Sequence, residues 1–465
     1  MIPLHLSEIA TALNGQLIGE DKVIHQVGTD SRALQANDVF LALKGVNFDG
    51  HRFLTQVEKS GCSAVIVDHD CQLSVPQIIV SDTHKALGEL GAYVKNKVSP
   101  KTVAITGSSG KTTVKEMVAA ILSRLGSVLA TKGNFNNDIG VPLTLLRLEA
   151  QHDFAVVELG ANHMGEIAYT SALVKPDVAV INNIAAAHLE GFGDLCGVAR
   201  AKGEIFEGLK DNGVALYNQD CKLANKWQWR LVDKDVRRFS CFNQADCYSS
   251  DVVLDENGCA SFKINTPLGS TYIELTVPGR HNVCNAVAAA TIVIEFGASL
   301  DDIRLGLAEM ESVKGRLNLH QLSENCKLID DTYNANVESI KAATDLLAGY
   351  PGRRILILGD MGELGAEARS YHQDVGEYAR EKNIDELLTL GVLSQSTSDA
   401  FNHGKNKHGL HFSLREDLIA QLEQLLKDEA QQVSILVKGS RSSHMEYVVN
   451  DIINWQTSQL TEESA

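Results

Sequence analysis

The sequence has no apolar run long enough to cross a bilayer, which excludes a helical membrane span. Its opening, MIPLHLSEIATALNG, has neither the basic start nor the apolar stretch of a secretory leader. The expectation is therefore a cytoplasmic protein without membrane insertion. None of the nine cysteines sits in a C-x-x-C pair, and their number is odd. Both facts argue against a disulfide framework or structural zinc and for buried, reduced thiols, as at Cys196, Cys284 and Cys326. Positive charge is also scarce: 42 Lys and Arg stand against 59 Asp and Glu, a net charge of -17. With no basic stripe, non-specific nucleic-acid binding is disfavoured, and so is a nucleic-acid-dependent ATPase. A small anionic ligand held by local cations remains compatible with that balance. There is no internal repeat and no low-complexity tract, and the final TSQLTEESA reads as a solvated tail.

What is present is an ordinary globular composition, 44% apolar and 22% charged over 465 residues, enough for two to four domains. Three blocks stand out. Residues 1–98 mix short strands, DVFLAL and SAVIVD, with helical stretches. The polar, glycine-rich KGVNFDGHRF reads as a loop, and VKNKVSPK as a linker. In residues 99–316 the apolar runs TVAITG, FAVVELG, DVAVINN and GVALYN alternate with helical segments, the signature of buried parallel strands. From about Gln219 to Pro278 the pattern turns to alternating strands such as ASFKIN and TYIELTV; whether these extend the same sheet is open at this level. In residues 317–465, CKLIDD, RRILILGD, ELLTLG and VSILVKGS are strand candidates of a second doubly wound unit. The predicted fold is α/β in three domains: a small mixed N-terminal one, a central P-loop-type parallel-sheet one and a C-terminal Rossmann-like one.

The most informative segment is Gly107-Ser108-Ser109-Gly110-Lys111-Thr112-Thr113, between an apolar strand and a helix. Glycines let backbone N–H groups wrap phosphate oxygens, and the helix start adds positive potential. Lys111 is placed to reach β- and γ-phosphates, and the Thr112 hydroxyl to bind magnesium. Only two residues separate the glycines, where the common motif has four. The competing reading, a glycine turn with a chance lysine, does not explain the strand–loop–helix context.

Glu158 closes the strand FAVVELG, and His188 follows DVAVINN. In open α/β sheets ligands bind beyond the carboxyl ends of strands, so both become candidate metal ligands beside the phosphates. Taken singly, each is equally an ordinary strand-end carboxylate or a hydrogen-bonded structural histidine. Lys202 shares a helical face with Leu195, Val198, Ile205 and Leu209. A lysine in an apolar stripe is either snorkelling at the edge or turned toward a partner in the site.

These segments resemble the Mur ligase family, within it the branch that adds D-alanyl-D-alanine. Besides the phosphate loop, the resemblance rests on GNFNNDIGVPLT, ELGANHMGEI, NNIAAAHLEGFG, GRHNVCNAVAA, IDDTYNAN, LGDMGELG, VKGSRSSHME, GTDSR and FDGH, spanning Gly28 to Glu446. GKTT and HNxxN belong to the wider family, folylpolyglutamate synthases included; GANHMGEI and DDTYNAN are the more specific signals. One departure is Val337, where the family carries proline after DDTYNAN; no polar ligand is lost.

The resemblance implies an ATP-dependent ligase joining UDP-N-acetylmuramoyl-tripeptide to D-alanyl-D-alanine in peptidoglycan synthesis, acting as a monomer. It implies magnesium on Thr112, Glu158 and His188, and a CO2 adduct, a carbamate, on Lys202 as a further metal ligand. It places Asn282 and Asn285 near adenine, Asp331 near ribose and Arg316 near the phosphates. Ser31, Arg32, Asp49, Gly50 and His51 fall to the UDP part, and Asn134, Asn136 and Asn137 to the peptidyl substrate. Two further readings stay open here: another amino-acid ligase of the family, and a nucleotide-binding switch protein with partner surfaces.

Overall fold

The computed structural model describes every residue except 46–47, 404–407, 428–430 and 464–465. Two of these, 46 and 47, fall in the KGVNFDGHRF loop, so that part of the loop expectation lies outside the described residues. The chain lays down three main sheets, and each apolar run read as a buried strand forms one.

The first sheet has five strands in the order Gln16–Ile18, Gln77–Ile79, Ala64–Val67, Val39–Leu41, Val27–Gly28, with parallel pairing through all but the first pair. A helix, Thr83–Val98, leaves it toward the second sheet. The expected linker VKNKVSPK is in fact the last turn of this helix and the start of the next strand. Its polar residues sit at the helix C-terminus, where Ser99 ends the helix in a left-handed conformation. Lys95 from the same stretch is buried, donating to the Lys175 carbonyl at 3.0 Å.

The second sheet has nine strands. Its order is Gly269–Pro278, Cys259–Thr266, Cys247–Leu254, Asp235–Ser240, Val214–Asn218, Val178–Ile181, Lys101–Thr106, Phe154–Glu158, Val128–Ala130. Everything from Asp235–Ser240 to Val128–Ala130 pairs in parallel. The two strands Cys259–Thr266 and Gly269–Pro278 add antiparallel to one end, so the alternating segment is an extension of this sheet. From Lys101–Thr106 the chain first builds outward to one side and then returns to the other. That reversal opens a crevice at the carboxyl ends of the central strands, where the phosphate loop lies.

The third sheet runs Asn318–Ser323, Cys326–Asp331, Val433–Lys438, Arg353–Gly359, Glu386–Leu390, His408–Phe412, parallel except for its first strand. Six strands form where the sequence patterns suggested four. Asn318–Ser323 and His408–Phe412 are edges with few buried side chains, so they lack an apolar run. Val337 is the first residue of the helix Val337–Ala348, whose cap is Asn336. Position N1 is where proline fits a helix best, and valine keeps the helix without it.

One apolar cluster spans the N-terminal sheet, the helix Thr83–Val98 and one face of the nine-stranded sheet, from Leu4 to Trp227. At its crossing with neighbours, Gly88 lies under Tyr169 and Gly91 under Pro142; a Cβ at Gly91 would stand 3.0 Å from the Pro142 backbone. The two clusters of the third sheet contain no residue before Leu317.

Two further expectations are corrected. Cys241 and Cys284 form a disulfide between residues 43 apart in sequence, with Cα atoms at 5.3 Å. Sequence spacing carries no information about this pairing, because a strand end and a helix bring the two together. The other seven cysteines are free. At the C-terminus the helix Glu446–Glu463 continues through most of the segment read as a tail. Among the described residues, no helix is long and apolar enough to cross a membrane.

Candidate active site

The phosphate loop leaves the strand Lys101–Thr106 and turns into the helix Lys111–Leu122. Gly110 makes the turn at φ +74°, and a Cβ there would stand 2.5 Å from Asn285 Oδ1 and 2.6 Å from Asn182 Nδ2. Only glycine satisfies both the conformation and the space. Asn183 holds the loop from below: its carbonyl accepts from Ser108 N at 3.1 Å and its Oδ1 from Ser109 N at 2.8 Å. Lys111 is half-buried and donates to the Gly107 carbonyl at 2.9 Å. Burial lowers its pKa; neighbouring Glu158 opposes that shift and Arg316 adds to it.

Glu158 ends the neighbouring strand, so its carboxylate arrives beside the loop. Its Oε2 accepts from Thr112 Oγ1 at 2.9 Å and its Oε1 from Asn136 Nδ2 at 2.7 Å. Its backbone N–H is held by Thr131 Oγ1 at 3.0 Å. Asn137 spends its side chain on the Gly140 N–H at 2.8 Å, and Asn134 lines the cavity. His188 sits at φ +55° ahead of a short helix, with its Nδ1 against the Glu363 carboxylate of the third unit. Burial lowers its pKa and Glu363 works against this, while Lys111 and Lys202 again disfavour its proton. A neutral imidazole is the form that can bind a metal.

Lys202 is 1% exposed. Burial pulls its pKa down to about 7, helped by Lys111 and opposed by Glu158, Glu166 and Glu204. Its ammonium lies 5.7 Å from the Phe192 ring centre, and no hydrogen-bond acceptor reaches it among the described residues. The helix ends at Gly203 and continues as a short 3-10 turn, Glu204–Phe206. Of the expected face, Val198, Ile205 and Leu209 are buried with it, whereas Leu195 is 39% exposed. Leu195, the first residue of the helix, faces solvent while Gly197 and Val198 of the same turn are buried, which a uniform helical period does not reveal.

Arg316 joins the second and third units. Its Nη2 donates to Thr112 Oγ1 at 3.3 Å, its guanidinium stacks on Tyr333 at 4.3 Å, and its buried Nε has no partner among the described residues. Two cavities meet at Ser109, Gly110 and Arg316. One, of about 640 Å³, holds Lys111, Glu158 and His188 on one side and Tyr333, Asn334 and Arg441 on the other. The second, of about 910 Å³, is more apolar and is bounded by Asn282, Asn285, Asp331 and Lys438.

Asn285 Oδ1 accepts from Asn182 Nδ2 at 3.0 Å, and Asn285 Nδ2 donates to Asn282 Oδ1 at 2.8 Å. Asn282 donates to the Pro278 carbonyl at 2.7 Å. The pair is therefore wired to the loop through Asn182. The residues of the N-terminal unit lie apart from both cavities. Arg32 is exposed and pairs with Asp30 at 2.8 Å, and Ser31 sits in the same loop. Asp49 caps the turn that carries Gly50 and His51, and His51 bridges Asp49 at 2.7 Å and Asp68 at 3.1 Å.

The sequence reading did not single out Asn182, Asn183, Tyr333, Glu363 or Lys438. Asn182 and Asn183 stand directly after a predicted parallel strand, a position that signals ligand-side chemistry. Lys438 also ends a predicted parallel strand, but of another sheet, and Glu363 follows one there, so neither is tied by sequence to the phosphate loop.

The arrangement offers a cation, a helix start and two hard oxygen donors around one point, which suits phosphoryl transfer. Comparison with known proteins agrees. Residues 105–293 match the Mur ligase middle domain, 315–441 the Mur ligase glutamate ligase domain and 23–102 the Mur ligase family catalytic domain. The UDP-N-acetylmuramoyl-tripeptide--D-alanyl-D-alanine ligase of Escherichia coli K12 is 49% identical over 450 residues, covering 97% of this chain and 98% of that one. A crystal structure of MurF from Acinetobacter baumannii superposes with a TM-score of 0.92 at 38% identity, over 97% of this chain and 99% of that one. MurF ligase from Thermotoga maritima, solved in complex with ADP, gives 0.84 at 26% identity, over 94% and 98%. From its first sheet to its last, this chain belongs to the Mur ligase family.

Proposed function

We propose that this chain uses ATP to join the terminal carboxylate of a UDP-N-acetylmuramoyl-tripeptide to the amine of D-alanyl-D-alanine, in the cytoplasm and in the service of peptidoglycan synthesis. The observation that carries the reading is the convergence of Lys111, Glu158, Thr112 and Arg316 at the mouth of two cavities. Residues 1–98 would hold the UDP part through Ser31, Arg32 and the Asp49–His51 turn. Residues 99–316 would hold ATP, and residues 317–465 the dipeptide.

A carboxylate and an amine do not condense unaided in water, so the acid is activated first. Its oxygen attacks the γ-phosphorus of ATP, the bond to the bridging oxygen breaks, and ADP leaves. The dipeptide amine then attacks the acyl carbon, loses a proton, and expels phosphate. Lys111 and Arg316 would face the charge that builds on the transferred group. Asn282 and Asn285 would border adenine, and Asp331 ribose. Asn134 and Asn136 line the side from which the peptidyl acid would enter, with Asn137 shaping that loop. Closure of the third unit over the smaller cavity would exclude water from the acyl phosphate.

Thr112 and Glu158 supply hard oxygen donors, and His188 a neutral nitrogen, a set that fits magnesium. When bound, the ion would offset phosphate charge. Lys202 supports the reading of a carbamate: with its pKa lowered to about 7, a substantial share of the amine is unprotonated at neutral pH, as attack on CO2 requires. The adduct would turn a buried cation without a partner into an anionic metal ligand.

The deciding assay is ADP release with UDP-N-acetylmuramoyl-tripeptide and D-alanyl-D-alanine, omitting each in turn. Full dependence on both is expected, and ADP release that ignores the dipeptide or follows another amino acid overturns the reading. Lys111→Ala should lower kcat by at least about 100-fold. Lys202→Ala should be inactive and partly rescued by short carboxylates; full activity without them excludes the carbamate.

A further inference from the structure

The smaller cavity has two ends with different chemistry. At one end Lys111 and Arg316 serve the phosphoryl group. The opposite wall comes from the third unit, and its cationic side chain is Arg441, in the turn after the strand Val433–Lys438. We infer that Arg441 is the specificity-determining residue that anchors the C-terminal carboxylate of the incoming dipeptide. This rests on the ligase reading above and deepens it.

Charge accounting leads to this assignment. The amine of the acceptor must reach the acyl phosphate next to Lys111, and its carboxylate is at the far end of the same molecule. A carboxylate placed at the Lys111 end would compete with the phosphoryl oxygens for the same cations. It would also face Glu158, whose carboxylate is already there. The acidic groups of the wall near His188 repel it as well: Glu363 lies against His188, and Glu166 lines the same side. Arg441 approaches Tyr333 closely enough to affect the phenol's charge.

The guanidinium is also prepared for a ligand. Glu446 accepts from its Nη1 at 2.8 Å and fixes its orientation. One of five N–H donors is spent, and among the described residues no other acceptor takes the rest. The side chain lines the cavity and is 62% exposed. A planar fork held at one corner matches a carboxylate by paired hydrogen bonds. The same position rewards a dipeptide over a free amino acid: the anchor sits across the cavity from the reacting end, so the acceptor must be long enough to touch both.

The test compares D-alanyl-D-alanine with its C-terminal carboxamide, in the native enzyme and in Arg441→Ala and Arg441→Lys. In the native enzyme the amide should lower kcat/KM by about 30- to 100-fold, as loss of one side of a charge pair does. Arg441→Ala should lose about the same factor with the acid and almost nothing further with the amide, so the acid-to-amide preference collapses. Arg441→Lys should restore part of it. KM values for ATP and for the UDP-peptide should stay within about threefold of native. An Arg441→Ala enzyme that keeps the full acid-to-amide ratio overturns the proposal. So does a loss that falls on the KM of the UDP-peptide, since Arg441 would then hold a carboxylate of the first substrate. A native enzyme that turns over neither acceptor sinks the ligase reading instead, which separates the two failures.

Discussion

Asp331 and Lys438 are register partners at the carboxyl ends of adjacent parallel strands, and Lys438 Nζ donates to Asp331 Oδ2 at 2.5 Å. The lysine also donates to the Asn334 carbonyl at 3.0 Å, and is 3% exposed. Burial lowers its pKa against the pull of Asp331. The pair thus stitches the third sheet to the loop that carries Tyr333 and Asn334 into the smaller cavity.

Breaking one side of a buried pair leaves an uncompensated charge. Lys438→Met should lower stability by about 3–5 kcal/mol, read by denaturant unfolding of the third unit. Adding Asp331→Asn should recover much of the loss, whereas purely additive losses would show that the two residues do not act as a pair.

The phosphate loop has no room for a side chain at Gly110. Gly110→Ala must adopt a left-handed conformation and press on Asn285 and Asn182. The strain is about 1–2 kcal/mol. We expect KM for ATP to rise by about tenfold with far-UV circular dichroism unchanged. An unaltered KM would show that the loop tolerates displacement.

Lys95 gives stability a pH dependence. Burial holds its pKa at about 8, with Lys210 adding to the shift and Asp177 opposing it, against 10.5 in the reference state. Between these values the unfolded chain keeps a proton that the folded chain has shed, so stability rises with pH across that window. Below pH 8 the folded protein carries the full cost of the buried ammonium. Lys95→Met should therefore be most favourable relative to native near pH 7, with the advantage shrinking toward pH 10.5. Unfolding at pH 7, 8.5 and 10 reads this out; a pH-independent difference would contradict it.

The disulfide makes a simple count. Alkylation of the unfolded, unreduced protein should label seven of nine cysteines, with Cys241 and Cys284 recovered as one cross-linked peptide pair. In the folded protein Cys221, Cys247 and Cys326 should react slowly, because burial raises each thiol to about 11. Nine labels would mean the two sulfurs meet without bonding.

Much of the fold was legible because parallel strands buried on both faces leave continuous apolar runs, as Phe154–Glu158 and Val433–Lys438 do. Edge strands such as Gln16–Ile18 bury too little to leave that trace. The phosphate loop was legible because all its parts are consecutive. The convergence of Asn182, Arg316 and Lys438 was not, since three separate chain reversals bring them together. The end of the helix Thr83–Val98 was misread because its lysines look solvated in one dimension, while Lys95 turns inward to meet Lys175. The Cys241–Cys284 pairing likewise depends on a packing of strand against helix that no spacing rule encodes.

The greasy seam that runs from Leu4 to Trp227 has a practical corollary. The opening ninety-odd residues cannot be lifted off as a free-standing piece: a cut near Ser99 would bare oily faces on both products, and each would clump. The last third keeps two oily clusters of its own beyond Leu317, and it touches the seam through Tyr371, so a cut near Leu317 would bare less oil than one near Ser99.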